Sequence, residues 1–478
     1  MKVAIITENF LPKVDGVTRT LARLLEHLEA NGHEALLLGP ESGMATYAGA
    51  ELVGTWGIPF LPYPGLKLNM WRPLFGKKLQ EFQPDVIHVV DPVWLGAMAE
   101  RYLAMFFPHI PIVSSYHTNL AAYCGHFGWG IFSPFMWAWN RSCHNATALT
   151  FCPSNSTAKM LKQQGFHSAR IWPRGVDGTL FSHEKRSNDV RLHWLQSAQN
   201  LSPADADLYS KCSSAAAINK TILLYVGRVS YEKNLNLLID AYLAMDHTST
   251  HLVIVGHGPA MSDIQAKMAA AQAPITFTGY LQGENLAAAY ASSDIFAFPS
   301  RTETFGQVVL ESLSSGLPVV GVVAEGVQDL VTDGRTGLLI DGEESWDHQV
   351  VAYRQALQRL VDDVDERQKF SRQARQDAGA YTWFEAMECM VRGYREVVRK
   401  ARREAKASDT IKIRSTAPAE VLEGEWSGDS GVGEDMEEDE VHSRPSSPAG
   451  LKHLRKRVSV DRATVQTSDA SDVSAILA

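Results

Sequence analysis

The stretch DIFAFPSRTETFGQVVLESLSSGLPVV, residues 294–320, decides the reading of the chain. Residues 294–299 form a short apolar run closed by Pro299, residues 307–315 carry apolar side chains at helical spacing, and residues 318–322 are apolar again after Gly316. Strand, helix and strand in immediate succession predict a parallel pairing with a helix packed over it. Glu303 falls in the loop before the helix and Glu311 inside it, with Phe305 and Gly306 at the point where the helix begins.

Working outward, the same alternation covers the rest of this half. It predicts strands at 221–227, 251–256 and 275–279 and helices at 236–245 and 286–292. An independent alternation occupies the beginning of the chain: a strand at 3–7, a helix at 18–30 closing at Asn31 and Gly32, then strands at 34–38, 85–89, 112–115 and 148–152. Between the two lies a polar stretch without sustained periodicity. The expected fold is therefore α/β, with two Rossmann-like doubly wound domains facing one another across a cleft. The N-terminal domain spans 1–182, a linker with an insertion 183–220, and the C-terminal domain 221–382. Residues 346–406 read as two long helices, the second being a C-terminal helix at 383–406 with a basic end.

From 407 to 478 Ser, Glu, Asp, Gly and Pro dominate, which predicts a disordered tail. The 478 residues carry 45 Lys plus Arg against 54 Asp plus Glu, a net charge of −9. Residues 420–440 hold ten acids and no Lys or Arg, so the remaining chain stands at −9 + 10 = +1. That near-neutral body lacks the basic field of a nucleic-acid binder, yet it tolerates a phosphate-bearing ligand and an anionic lipid surface. Five cysteines at 124, 143, 152, 212 and 389 show no paired spacing, which fits a reduced, cytoplasmic setting.

Glu8 and Asn9 interrupt the first apolar run, which reads as a strand rather than a leader. Pro108, His109 and Pro111 break the longest apolar region before it could span a bilayer. Two segments combine aromatic residues with either lysines or a long apolar face, 66–82 and 127–139. Each reads either as a helix packed on a core with its polar side solvated or as a peripheral contact with a membrane.

The chemistry gathers at strand ends. The opening turn has the single Gly16 and no G-x-G-x-x-G, so the dinucleotide fingerprint is missing; Gly16 before a helix is either a plain turn or an anion contact. Arg228 follows the strand at 221–227, and Lys233 lies five residues on. Such a pair is either two solvated loop cations or a clamp able to neutralise a diphosphate without a metal. Glu303 and Glu311 are eight positions apart; were most of that interval helical, the rise would be on the order of 10 Å, comparable with the span from sugar to ribose in a nucleotide sugar.

The run from Glu303 to Glu311 resembles the E-x7-E signature of the retaining glycosyltransferases of family 4, which have the GT-B fold. Further motifs occur in the right order: DGV (15–17), DVIH (85–88), SYHT (115–118), RGVD (174–177), VGR (226–228) with EKN (232–234), GHGP (256–259) and FTG (277–279). The likeness covers nearly all of residues 1–400. Within the family it is greatest to glycolipid α-mannosyltransferases and to sulfoquinovosyl diacylglycerol synthases, through SYHT, WPRGVD (172–177) and YASSDIF (290–296).

The resemblance implies that Arg228 and Lys233 hold the donor diphosphate and stabilise the leaving nucleoside diphosphate. It implies that Glu311 binds the ribose hydroxyls, and that Glu303 grips the transferred sugar with the backbone of Phe305 and Gly306. Gly16 is implied beside the phosphates and the acceptor. His117 is implied near the reacting side of the sugar, acting through its backbone carbonyl; a packing histidine at a strand end is the plainer alternative. No cofactor, metal or protein nucleophile is implied. The expected donor is GDP-mannose or a UDP-hexose, and the expected acceptor a lipid or glycolipid. A sulfoquinovosyl or glucuronosyl transfer to diacylglycerol, a small non-lipid acceptor, and a catalytically silent scaffold acting through the tail are the competing readings. The long linker and the tail depart from the compact members of the family.

Overall fold

The computed structural model describes residues 1–13, 15–59, 67–121, 130–200 and 220–416. Strand β1 (Lys2–Thr7) shows how the first half is built. Val3 and Ile5 enter the core on one side of the sheet and Ala4 and Ile6 the core on the other, all fully buried. A strand apolar on both faces belongs in the middle of a sheet covered by helices on both sides.

The chain continues through α1 (Gly16–Ala30), β2 (Glu34–Pro40), β3 (Thr46–Tyr47), β4 (Ala50–Thr55), β5 (Gly57–Pro59), β6 (Lys67–Asn69), α2 (Pro73–Phe82) and β7 (Val86–Val90). Then come α3 (Leu95–Phe106), β8 (Ile112–Ser115), α4 (Ser133–Asn145), β9 (Leu149–Cys152), α5 (Asn155–Gln163) and β10 (Ala169–Ile171). Eight strands form one sheet in the order β10-β9-β8-β7-β1-β2-β4-β3, parallel except for the β3–β4 pair. Helix α1 begins two residues before the expected start because Asp15 and Thr18 form a capping box: the Asp15 carboxylate accepts from the Val17 and Thr18 N–H groups at 3.0 and 2.9 Å.

The second sheet follows α6 (Asn188–Gln196). It contains β11 (Thr221–Val226), β12 (Thr250–Val255), β13 (Ile275–Gly279), β14 (Ile295–Phe298), β15 (Val319–Val322) and β16 (Gly337–Ile340), all parallel in the order β13-β12-β11-β14-β15-β16. The order reverses between β11 and β14, which opens a crevice at their carboxyl ends. Its helices are α7 (Leu235–Leu243), α8 (Met261–Ala270), α9 (Gly283–Ala291), α10 (Gln307–Ser314), α11 (Val327–Leu330), α12 (Trp346–Asp362) and α13 (Val364–Ala378).

The last helix, α14 (Trp383–Thr416), crosses back to the first domain. Met387, Met390, Val391 and Tyr394 pack with Val3, Ile5 and Leu21 in one core, and the Tyr394 hydroxyl meets His88 Nδ1 at 2.7 Å. The two passages of the chain between domains touch: the Val176 N–H donates to the Tyr381 carbonyl at 2.9 Å, and a Cβ on Gly175 would lie 2.2 Å from the Trp383 nitrogen. Only glycine allows that approach.

Three expectations are corrected. Residues 346–406 hold three helices rather than two, because Asp363 ends α12 and caps α13 by accepting from the Glu366 N–H. Helix α14 runs on to Thr416, past the boundary expected at 407; residues 417–478 of the expected tail lie outside the described residues. The expected linker is in part second-domain structure, since the buried Arg191 of α6 donates to Asp294 Oδ2 at 2.9 Å and to the Ser292 carbonyl at 2.7 Å. Its residues 201–219 lie outside the described ones.

The described part of segment 66–82 places Phe75 and Leu79 of α2 in the core while Lys78 pairs with Glu51 at 2.7 Å, a helix packed on a domain. Segment 127–139 is described from residue 130, and it leaves Ile131, Phe132 and Phe135 exposed at 86, 57 and 63%. Among the described residues no helix is long and apolar enough to cross a membrane.

Candidate active site at the sheet ends

The loops leaving β11 and β14 flank the reversal of strand order, and they bring Lys233 and Glu303 together. Lys233 ends a short 3-10 turn, Tyr231–Lys233, and its Nζ lies 2.5 Å from Glu303 Oε1. The Ser300 hydroxyl donates to the same oxygen at 3.3 Å. Arg228 sits on the exposed start of the β11 loop, where its carbonyl accepts from the Tyr225 hydroxyl at 2.9 Å.

Glu303 to Gly306 are loop, and helix α10 begins only at Gln307, so about half of the interval between the two glutamates is helical. Gly306 is the N-cap at φ 90°, a conformation that glycine adopts without strain, and Phe305 beside it is buried. Glu311 is 3% exposed, accepts from the Tyr290 hydroxyl at 3.0 Å and lies 3.8 Å from Arg19 of α1. Burial pushes its carboxyl up to about 7, with Arg19, Tyr290 and Gln307 opposing. Gly16, Arg19 and Arg23 of α1 line a small cavity with Gln307 and Glu311 opposite them. A Cβ on Gly16 would meet nothing within 4 Å, so this helix start faces open space.

His117 is buried just beyond β8. Arg174 donates to its Nδ1 at 2.6 Å; arginine has no acceptor, so Nε2 carries the hydrogen and donates to Ser115 Oγ at 2.8 Å. Burial and the Arg174 charge hold the imidazole well below its usual pKa, and the ring is fully engaged. The His117 N–H donates to Asp91 Oδ1 at 2.7 Å. Its carbonyl accepts from the Thr304 hydroxyl at 2.8 Å, across the cleft and next to Glu303. It is therefore the backbone oxygen, not the ring, that meets the second domain.

A second interdomain clasp lies beside this one. The Ser154 and Thr157 hydroxyls at the start of α5 donate to the Thr304 carbonyl at 3.0 and 3.2 Å. The Thr157 hydroxyl also meets Glu325, and the Ser156 N–H donates to Asp329 at 3.1 Å. Carboxylates at a helix start complement its free N–H groups.

The structure thus joins Lys233 with Glu303, Gly16 with Glu311 across one cavity, and His117 with the residue between Glu303 and Phe305. Three further cleft residues were not singled out in the sequence. Arg19 lies two residues beyond DGV and Arg174 opens RGVD, so one stood beside a recognised motif and the other inside one. Asp91, held at φ 43° after β7, accepts from both the N–H and the hydroxyl of Thr118, and burial pushes its carboxyl up to about 6. Nothing local in the sequence marks it.

Two mostly parallel sheets facing across such a cleft define the GT-B fold. Among solved structures the chain resembles sucrose-phosphate synthase from Thermosynechococcus elongatus, at TM-score 0.65 and 18% identity over 84% of this chain and 99% of that one, a likeness of fold alone. Residues 14–179 match the family described as Glycosyltransferase Family 4, and residues 212–377 the one described as Glycosyl transferases group 1. The chain belongs to glycosyltransferase family 4 and is a hexosyltransferase. Its relatives include the GDP-mannose-dependent alpha-mannosyltransferase of Corynebacterium glutamicum, 35% identical over 71% of this chain and 77% of that protein. The enzyme of the same description from Mycolicibacterium smegmatis is 33% identical over 80% and 94%. A sulfoquinovosyl transferase of Arabidopsis thaliana is 30% identical over 77% and 68%.

Proposed function

We propose that the chain moves a hexosyl group from a nucleotide-diphosphate sugar to a lipid or glycolipid acceptor, with retention at the anomeric carbon. The contact between Lys233 and Glu303 carries this reading, because it puts a cation suited to a diphosphate and a carboxylate suited to sugar hydroxyls at one point of the crevice. Lys233 and Arg228 take the diphosphate and stabilise the charge that develops on the leaving nucleoside diphosphate. Glu311 takes the ribose hydroxyls, while Glu303 and the backbone of Phe305 and Gly306 take the sugar. Gly16 lies beside the phosphates and the acceptor. The His117 carbonyl exchanges the Thr304 hydroxyl for the sugar as the donor enters.

The leaving phosphate accepts the proton of the attacking hydroxyl, so no protein base or nucleophile is assigned. The two cations and the start of α10 meet the donor charge in this reading, which therefore predicts undiminished transfer in the presence of a chelator. The mannosyltransferase relatives favour GDP-mannose as donor, with a UDP-hexose as the alternative. The exposed Ile131, Phe132 and Phe135 give the first domain a face for a cytosol-facing membrane on which a lipid acceptor is reached.

The test is incubation with radiolabelled GDP- and UDP-sugars and membrane lipids, with hydrolysis and transfer read separately. Transfer to lipid supports the proposal. Transfer only to a water-soluble acceptor removes the lipid, and binding without turnover of any donor leaves the silent scaffold.

A further inference from the structure

Glu311 is a buried carboxylate whose countercharge comes from the other domain. Its Oε2 accepts from the Tyr290 hydroxyl of α9 at 3.0 Å, and its Oε1 lies 3.8 Å from Arg19 Nη1 of α1. Tyrosine is a neutral donor, so the offsetting charge is that of Arg19. Other charged groups around α10 are turned elsewhere. Arg23, one turn further along α1 on the same cavity, pairs with Glu26 at 3.1 Å. Asp177, also on that cavity, accepts from the Thr179 and Leu180 N–H groups at 3.0 Å. Arg375 of α13 donates to the Ser371 hydroxyl at 2.9 Å, and Asp329 of α11 meets Ser156. The neighbouring strands β14 and β15 contain no charged residue. Among the described residues Arg19 is the one cation paired with Glu311, and its guanidinium makes no other hydrogen bond or ion pair there.

A carboxylate so placed keeps its charge only against the cost of leaving water. Burial pushes the Glu311 carboxyl up to about 7, with Arg19 foremost among the groups that oppose it. Glu100 of α3, buried without a paired cation among the described residues, is driven further, to about 8. The charge matters for recognition, because an ionised carboxylate accepts hydrogen bonds on both oxygens whereas a protonated one gives up part of that capacity. Arg19 lies three residues after Gly16, on the helix start that faces open space, and the pair exists only where α1 of the first domain lies against α10 of the second.

We propose that Arg19 is a positioning residue for nucleoside recognition: reaching over from the first domain, it keeps Glu311 an anionic acceptor for the ribose hydroxyls, so that the ribose is gripped fully only where the two domains meet. The inference rests on the assignment of Glu311 to the ribose made above and adds the residue that makes this grip effective at neutral pH. Arg19 acts through Glu311 rather than on the diphosphate.

The experiment titrates UDP and GDP by calorimetry beside their 2′,3′-dideoxy forms from pH 6 to pH 9. It uses the full chain as wild type, Arg19→Gln, Arg19→Lys and Glu311→Gln, each checked by thermal melting. Each ribose form shares its base and diphosphate with its dideoxy counterpart, so the ratio of their affinities reads the hydroxyls alone. In wild type the ratio is about 10- to 100-fold at pH 8 and falls about tenfold by pH 6, as Glu311 takes up a proton. Arg19→Gln displaces this rise upward by about one pH unit, which puts its ratio about fivefold below wild type at pH 7 and level with it at pH 9. Arg19→Lys keeps the wild-type profile, and Glu311→Gln gives a small ratio that does not change with pH.

An identical profile in wild type and Arg19→Gln overturns the proposal. Equal weakening of the ribose and dideoxy forms at every pH overturns it as well, since Arg19 would then be a phosphate contact. If the glutamine variant does not fold, Arg19→Met, uncharged and of similar reach, takes its place in the same comparison. A ratio left intact by Glu311→Gln removes the ribose assignment itself, a failure told apart from that of Arg19 because it appears in a variant that retains the arginine.

Discussion

Replacing each member of the Lys233–Glu303 pair by alanine should move nucleotide affinity in opposite directions. The two side chains are 17 and 18% exposed and meet at 2.5 Å, so each offsets the charge of the other. Lys233→Ala removes a charge-assisted contact to the diphosphate worth about 1.5–3 kcal/mol, which weakens GDP or UDP binding by about 10- to 100-fold. Glu303→Ala removes the competitor for the Lys233 ammonium. A partly exposed ion pair contributes about 1 kcal/mol once screening is included, so that variant should bind the nucleoside diphosphate up to about fivefold more tightly. Both variants lose sugar transfer, Lys233→Ala for want of leaving-group stabilisation and Glu303→Ala for want of a grip on the sugar. Calorimetric titration with GDP and UDP at two salt concentrations, beside a transfer assay on mixed lipids, reads all of these effects. Equal weakening of nucleotide binding by the two variants would show that Glu303 does not compete with the diphosphate for Lys233, and the assignment of the pair would fall.

Three other expectations follow from features away from the pair. Glu100 of α3 is buried, its Oε1 has no hydrogen-bond partner among the described residues, and burial raises its carboxyl from the usual 4.5 to about 8. Between those values the folded chain keeps a proton that the unfolded chain has released, so stability falls as pH rises through this window and levels off above it. Glu100→Gln lacks this dependence, and its unfolding free energy from urea titration should gain on wild type from pH 5 to 8 by about 1 kcal/mol per pH unit; parallel curves would contradict this. Gly175→Ala forces a Cβ to 2.2 Å from the Trp383 nitrogen and should cost about 3 kcal/mol in urea unfolding, whereas a cost near zero would mean the interdomain passages are loosely held. Ile131→Glu combined with Phe135→Glu removes two exposed apolar side chains and should weaken sedimentation with anionic vesicles by about 10- to 100-fold; unchanged binding would place the membrane contact elsewhere.

Strands that are apolar on both faces were legible because their composition alone excludes other placements. The run at 221–227 and the run at 294–299 appear in the structure as β11 and β14. β16 was not, since Gly337 to Ile340 is four residues long and follows a turn through Thr332, Asp333 and Gly334, giving too little periodicity to register. The junction of α12 and α13 escaped for a different reason. Asp362 and Asp363 continue an amphipathic pattern, and only the side-chain cap on Glu366 breaks it. At the site, Lys233 and Glu303 could be singled out because each lies in the loop that leaves a strand end. Arg174 and Asp91 act through partners far away in sequence, His117 for both, and such relations exist only once the sheet order brings β7, β8 and the chain beyond β10 side by side.

The return of α14 to the first domain bears on the order in which the protein can be made. A ribosome completes the strands of the first sheet long before it reaches Met387, Met390, Val391 and Tyr394, which wall one side of that sheet's core. The nascent first domain must therefore wait with Val3, Ile5 and Leu21 uncovered while the second domain is synthesised, a state exposed to aggregation and suited to chaperone capture. A premature stop within the tail leaves this wall intact, whereas a stop before residue 387 unroofs the domain translated first.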